Sequence, residues 1–373
     1  MKNKINNYDF LIVGAGLIGS LAALNLQKKK YSVLVIDKNT QLLNDERTLA
    51  VNANSREFLN NLGIWNKLKS QPEPINKIVI KDYINSSDLI FENKNEDMGS
   101  VILNKELLEE ARKELVNKKS ILLGTNVPIS EIIPQKKIKI NNKLYQFKNI
   151  IFSLGKNYKD GSIIKRVSFE RGHISHVGFF NHSKQHQQNA YEFFTQTGPL
   201  AILPAPGKNK KKSTFIYTTK QNTTKSKIES LIKRNFKNTH GIINFKNKID
   251  KFEVLPHVSK DISNKYILVG DTLRSIHPVA GQGWNLGIKD LQSLNNLLDV
   301  YGMDDDKLIN RYYLQRNIDN ISYLSFTSSL NYLYENQNFL NNLIVRAGFN
   351  FLKNVSFLRK GFIKQAMGRL ELI

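Results

Sequence analysis

The sequence predicts an α/β fold: a Rossmann-like nucleotide-binding domain carrying a β-sheet second domain and a C-terminal helical segment. Three observations lead there. Gly14-Ala-Gly16-Leu-Ile-Gly19 sits between an apolar strand and an alanine- and leucine-rich helix. Much later, the strand Tyr266-Ile-Leu-Val269 runs into Gly270-Asp271 and a second glycine loop ending Gly281-Gln-Gly283. The last stretch, 338–370, interleaves basic and large apolar residues at helical spacing.

The first element is a βαβ unit. Asp9–Val13 reads as a strand, Leu17–Lys29 as a helix, and Tyr31–Ile36 as a second strand ending at Asp37. Gly14 permits the tight turn, Gly16 lets the backbone approach a pyrophosphate, and Gly19 allows close helix–strand packing. The helix N-terminus offers free N–H groups to phosphate. Asp37 stands where an acid accepts hydrogen bonds from ribose hydroxyls. Asp45-Glu-Arg47-Thr-Leu-Ala50-Val-Asn52 follows, then a short helix from Ser55 ending at Gly63. Arg47 lies on the loop leaving this unit. Its spacing alone favours a surface arginine paired with Asp45 or Glu46.

The second glycine loop supplies a different grip. An acid at the carboxyl end of a parallel strand points into the ligand crevice, so Asp271 can accept hydrogen bonds from the ribityl chain of a flavin. The loop Pro278–Gly283 leads into a helix from about Trp284 to Asp299, with Leu286, Leu291, Leu294, Leu297 and Leu298 facing the core. Gly281 and Gly283 allow close approach to a ring, and the helix N-terminus would favour an anionic reduced flavin. His277 reads as a structural or capping residue ahead of a catalytic base. Two grips on one domain predict a single large cofactor, and hence a flavoprotein.

Composition bounds the remaining choices. The chain has 373 residues and no cysteine, which excludes disulfides, thiolate metal sites and cysteine nucleophiles. The net charge is +23, but lysine and asparagine are spread diffusely, as in Lys208-Asn-Lys-Lys-Lys212. No recognition motif accompanies the charge, so nucleic acid is not an expected partner, and an anionic membrane surface suits it better. The polar start Met1–Tyr8 shows no secretory signal, and no apolar run is long enough to span a bilayer. The expected location is cytoplasmic, peripheral on the inner face of the membrane. No metal site is expected.

The stretch His277-Pro278-Val-Ala-Gly281-Gln-Gly283-Trp-Asn285-Leu-Gly287-Ile-Lys-Asp290 resembles the signature of the ubiquinone-biosynthesis hydroxylases, FAD-dependent aromatic monooxygenases of the p-hydroxybenzoate hydroxylase fold. Asp45-x-Arg47-x-x-Ala50, Gly99–Leu107 and Phe194–Pro204 carry the same resemblance. It implies that Gly14, Gly16, Gly19 and Asp37 hold the ADP moiety. Arg47 would contact the phosphate or ribityl region and Asp271 the ribityl chain. Pro278, Gly281, Gly283 and Asn285 would line the isoalloxazine, with Tyr191–Pro204 as one wall of the active site. The implied chemistry is flavin reduction by NAD(P)H, a C4a-hydroperoxide formed with O2, and hydroxylation of a phenolic ring. The chain departs from the family where an Asp-Gly motif is expected: Ser153-Leu-Gly155-Lys156-Asn-Tyr158 stands there, with Asp160-Gly-Ser162 and Arg166 downstream. That departure concerns the handling of the reductant.

The expected substrate is a polyprenylated phenol in ubiquinone biosynthesis. Two alternatives stand beside it: a soluble aromatic acid as substrate, or a non-catalytic flavin-binding subunit of a quinone-biosynthesis complex. A quinone-biosynthesis complex or a homo-oligomer is the expected assembly. The helices of 338–370 fit either a membrane interface or packing on the core or a subunit partner. The expected domains are 1–75, 100–165 and 255–330 for FAD, 76–99 and 166–254 for the substrate, and 331–373 as C-terminal helices.

Overall fold

The computed structural model describes residues 5–41, 47–85, 88–128, 132, 136–158, 164–168, 172–220, 222–245, 248–261, 265–277, 281–303, 305–336 and 338–369. Asp45, Glu46, Pro278 and Asp160–Ser162 lie outside these residues.

Runs of β-branched and aliphatic residues build a parallel sheet buried on both faces. Its strands stand in the order Ile267–Leu268, Lys143–Phe152, Ile5–Val13, Val33–Asp37, Ile121–Leu123, with Lys137–Ile140 added antiparallel to Lys143–Phe152. Phe10, Leu11 and Ile12 at its centre are fully buried. One side carries Leu17–Lys28, packed between Asn104–Asn117 and Gln282–Tyr301. Thus the strand that precedes the second glycine loop enters the same sheet as the one that precedes the first.

A second, larger sheet runs Ile243–Asn244, His173–His182, Lys212–Thr219, Gly198–Pro204, Asn189–Thr195, Lys77–Asp82, Leu89–Glu92, and is antiparallel except between Lys77–Asp82 and Asn189–Thr195. The two-residue period of its strands separates two surfaces. Val79, Tyr191, Phe193, Leu200, Ile202, Phe215 and Tyr217 pack under the helix Lys225–His240, through Ile228, Ile232 and Phe236. Ile78, Ile80, Ala190, Glu192, Phe194, Ala201, Leu203 and Ile216 point the other way, into a cavity between the sheet and the nucleotide fold.

The C-terminal segment is helical over Asp305–Glu335, Phe339–Asn354 and Ser356–Ala366. These helices wall the cavity on its remaining side. Val345, Phe349 and Leu352 face inward from one, and Leu358, Phe362 and Ala366 from the next. Phe362 packs against the buried Phe91 with ring centroids 4.4 Å apart and the planes tilted by 31°.

Candidate cofactor and substrate site

Two glycine loops meet over one crevice. Gly14 turns the chain at φ +104°, and a Cβ there would stand 2.2 Å from the Ser153 carbonyl oxygen, so only glycine fits. A Cβ on Gly19 would fall 2.0 Å from the Gly14 oxygen, which lets the helix sit directly on the turn. Gly16 differs. Nothing lies within 4 Å of its would-be Cβ, and it lines the cavity, leaving backbone open to a ligand. The helix Leu17–Lys28 begins here without a side-chain cap, so its first N–H groups face an incoming anion.

Asp37 and Arg112 clamp the intervening residue, Ala15. Asp37 Oδ2 accepts the Ala15 N–H at 2.6 Å, and Arg112 Nε donates to the Ala15 carbonyl at 2.9 Å. The two side chains stand 3.7 Å apart. Burial holds the Arg112 guanidinium below its usual value, against the pull of Asp37. Its Nη1 is buried and has no hydrogen-bond partner among the described residues. A cavity-lining guanidinium N–H with no acceptor, beside an open glycine and a helix N-terminus, fits the anionic backbone of a dinucleotide. Sequence reasoning missed Arg112. It lies in the helix Asn104–Asn117, buried together with Leu107, Ala111 and Leu115, and its local sequence carries no signal beyond that packing.

The second loop is locked to the first through Ile18. A Cβ on Gly287 would stand 2.7 Å from Ile18 Cδ1, and one on Gly270 3.1 Å from Ile18 Cγ1. Asp271 is accessible from the cavity. Enclosure pushes its carboxyl above the ordinary range, opposed most by Lys156 and then by His257, Arg274 and Arg47. Arg47 also lines the cavity, its guanidinium 4.7 Å from the centroid of the Phe252 ring. The structure therefore brings Arg47 into the cofactor crevice, where spacing alone had favoured a surface ion pair.

Gly281 takes the left-handed conformation at φ +61° and caps the helix Gln282–Tyr301, and Gly283 follows on the cavity wall. Asn285 lines the cavity too, but its amide is spent on backbone: Nδ2 donates to Ala50 O at 2.9 Å and Oδ1 accepts the Asn52 N–H at 3.1 Å. It ties the glycine loop to the strand Thr48–Asn52. Pro278, expected at the isoalloxazine, lies outside the described residues. His277 is buried beneath the loop and is not part of the cavity wall. Its ring meets His173 edge-on at 5.0 Å, and burial, reinforced by His173, pushes it down to about 3. His173 in turn pairs with Glu335 at 2.9 Å.

The divergent loop after Phe152 also faces the cavity. Leu154 and Gly155 donate their N–H groups to Thr272 Oγ1 at 2.5 and 3.0 Å, fastening it to the residue after Asp271. Lys156 donates to the Glu253 carbonyl at 2.6 Å, and its ammonium is held below the usual value by burial, with Asp271 opposing. Arg166 Nη1 donates to the Lys156 carbonyl at 2.7 Å.

Both glycine loops and the loop after Phe152 border one cavity of about 1620 Å3. That exceeds the roughly 300–1,000 Å3 of a single small-ligand site, so the crevice has room for a large cofactor and a second molecule. A family model described as an FAD binding domain matches residues 7–139 and 170–318. The chain belongs to this FAD-binding family. The FAD-binding chain is 25% identical to ubiquinone hydroxylase UbiL of Rhodospirillum rubrum, over 98% of its own length and 90% of the relative's. It is 22% identical to ubiquinone hydroxylase UbiM of Neisseria meningitidis, covering 96% and 84%. Its fold matches that of p-nitrophenol 4-monooxygenase PnpA from Pseudomonas putida, with a TM-score of 0.72 at 12% identity over 97% and 98% of the two chains.

Proposed function

We propose that the protein is an FAD-dependent monooxygenase that hydroxylates the aromatic ring of a polyprenylated phenol in ubiquinone biosynthesis, with O2 and NAD(P)H as co-substrates. The observation that carries this reading is the cavity itself, which runs from both glycine loops to an apolar far end. Its cationic lining residues, Lys38, Arg47, Lys105, Arg112 and Lys156, all come from the nucleotide fold and the loops that join it. The far end is walled by Ile80, Phe194, Leu203, Val345, Phe349 and Phe362. A soluble aromatic acid would call for a cation there, whereas a prenyl tail calls for this apolar surface. The relatives named as ubiquinone hydroxylases support the same substrate class.

FAD, when bound, supplies the redox and oxygen-activating chemistry. The chain's own residues bind and orient it. Gly14, Gly16, Gly19, Asp37 and Arg112 hold the ADP half, Arg47 and Asp271 the ribityl region, and Gly281 and Gly283 the ring, while Asn285 fixes the loop. The large sheet and the C-terminal helices orient the substrate and keep water out.

Delivery fits a membrane surface. Among the described residues no helix is long and apolar enough to cross a membrane. Phe339, Leu340, Leu343, Phe351 and Phe357 are nevertheless exposed on the cavity-walling helices, alongside Arg346, Lys353, Arg359, Lys360 and Lys364. A basic, apolar face beside the cavity suits shallow attachment to anionic lipid.

The test is turnover. FAD-loaded protein, given NAD(P)H, O2 and a prenylated phenol, should release stoichiometric hydroxylated product and sediment with anionic vesicles. A flavin that NAD(P)H never reduces, even with the phenol present, would sink the catalytic reading and leave the non-catalytic alternative.

A further inference from the structure

Phe326, Ile344 and Phe357 line the cavity, yet they are 52%, 48% and 79% exposed. One comes from each of the last three helices, Asp305–Glu335, Phe339–Asn354 and Ser356–Ala366. Each helix leads from that residue to the interior. Exposed Phe326 is followed at helical spacing by half-buried Leu330 and Leu333, which also line the wall. Exposed Ile344 adjoins buried Val345, and exposed Phe357 adjoins half-buried Leu358. Side chains that face both the cavity and the outside mark a mouth. This mouth lies at the apolar end of the cavity, away from the cations of the nucleotide fold. Tyr323 and Gln365, hydrogen-bonded to each other within the wall, tie the first of these helices to the third.

The rim is apolar and basic together. Leu340, Ile344 and Phe351 fall on one exposed stripe of their helix, and Phe357, Lys360 and Lys364 on one exposed stripe of theirs. No acidic residue occurs between 338 and 370. Large contiguous apolar patches rarely face water on a soluble monomer. A two-fold dimer would lay this patch against itself, cations facing cations with no acid in either segment to answer them. An anionic bilayer answers both features: headgroups meet the basic side chains, and the apolar rim enters the acyl boundary.

We infer that the mouth between these three helices opens into an anionic bilayer, and that the substrate enters through it directly from lipid. The inference rests on the prenylated-phenol reading and adds the route by which that substrate arrives. The ring passes Phe326, Ile344 and Phe357 first and travels toward the glycine loops. The tail trails behind it, its inner units against Val345 and Phe349 and its outer units still among the acyl chains. At no stage does the tail cross water, so the hydrophobic cost of extracting it from the membrane is avoided.

The experiment exploits the absence of cysteine, which lets single cysteines be labelled without background. FAD-loaded F357C, I344C and, on the exposed end of a nucleotide-fold helix, K118C carry a polarity-sensitive fluorophore that emits clear of the flavin. Each is mixed with phosphatidylcholine vesicles, with and without phosphatidylglycerol. The labels at 357 and 344 should shift to the blue with phosphatidylglycerol and be quenched by spin-labelled acyl chains, while the label at 118 stays unchanged. Phe357→Asp should lose vesicle docking and raise KM for a long-tailed phenol in vesicles roughly 10- to 100-fold, with FAD affinity constant. A bulky maleimide on I344C should abolish binding of the phenol, followed by flavin absorbance, and phenol added beforehand should protect the thiol. No lipid-dependent shift at 357, or an equal one at 118, would overturn the docking face. Unhindered phenol binding to blocked I344C would overturn the mouth. A lipid-free dimer that Phe357→Asp dissociates would overturn both and assign the face to a second copy. Protein that docks and shows protection at 344 yet hydroxylates nothing would uphold the mouth and sink the hydroxylase reading. Hydroxylation that is indifferent to vesicles and to the block at 344 would do the reverse.

Discussion

Asp290 accepts the backbone N–H of Gly270 at 2.9 Å, so the helix that follows the second glycine loop holds the residue immediately before Asp271. The same carboxylate receives Arg274 Nη1 at 2.8 Å and Arg316 Nε at 2.8 Å, and Arg316 continues to Asp319 at 2.5 Å. Asp290, Arg274 and Arg316 are almost fully buried. Removing one partner of such a network strands the others, and Asp290→Ala should cost roughly 3–5 kcal/mol. Urea unfolding of the two proteins checks the loss. FAD should also dissociate more readily from the variant, because Gly270 and Asp271 lose their anchor. An unchanged unfolding midpoint would show that water or neighbouring groups compensate for the lost carboxylate.

Arg112 offers a cleaner test of the cofactor grip. Its Nε is spent on Ala15, but Nη1 is buried on the cavity wall without an acceptor among the described residues. A charge-assisted bond to FAD would be worth roughly 1.5–3 kcal/mol. Arg112→Gln, which shortens and neutralises the side chain, should therefore weaken FAD about 10- to 100-fold. Fluorescence titration of apoprotein with FAD measures this directly. Equal affinities in both proteins would place the cofactor's anionic groups elsewhere.

Most of this arrangement was legible in the chain because glycine leaves a sharp mark. Gly14 and Gly19 are required by contacts of 2.2 and 2.0 Å that any side chain would violate, so the sequence at those positions has no latitude. The pairing of the two loops was readable for the same reason, and Ile18 between Gly270 and Gly287 is its physical form. Side chains whose value depends on what they meet were harder. Arg47 carries no local indication that it will stack over Phe252, a residue brought near only by the fold. Arg112 is hidden inside a helix whose pattern explains itself as packing. The segment 338–370 was readable as helix, whereas the face each helix turns to the cavity follows from tertiary packing.

The contact between Phe362 and Phe91 ties the last helix to the large sheet. Phe91 is 1% exposed, the rings lie 4.4 Å apart, and Arg359 donates to the carbonyl of the adjacent Ile90 at 2.5 Å. Phe362→Ala should forfeit about 0.5–1.5 kcal/mol of aromatic pairing in addition to the lost burial. The helix Ser356–Ala366 would then sample detached states. Its arginine and lysine residues should become faster sites of tryptic cleavage, and KM for a prenylated phenol should rise while FAD affinity stays constant. A parallel fall in FAD affinity would indicate that this helix supports the cofactor and not only the substrate wall.

Acid should unfold the protein through its buried imidazoles before it does so through its carboxylates. His182, His186 and His240 crowd together under the large sheet, with the His182 and His240 rings 4.7 Å apart. Burial first, and then mutual repulsion, pushes His240 down to about 3, while burial opposed by Glu73 brings His186 to about 4. His277, against His173, is held near 3 as well. All three are depressed from an ordinary value of 6.5. Above that value the imidazoles are neutral in both folded and unfolded chains and leave stability unchanged. Below it the unfolded chain takes up protons that the folded chain refuses, so stability falls as pH drops from 6.5 toward 4. Each histidine adds a slope of up to about 1.4 kcal/mol per pH unit. Glu335, held below its ordinary value chiefly by His173 and Lys220 against the cost of burial, adds its loss only at lower pH. The midpoint of urea unfolding should therefore be markedly lower at pH 5 than at pH 7.5. The gap should narrow in His240→Gln, which removes one titrating ring from the cluster while keeping a polar side chain. Identical midpoints at the two pH values would mean that the rings protonate within the folded protein.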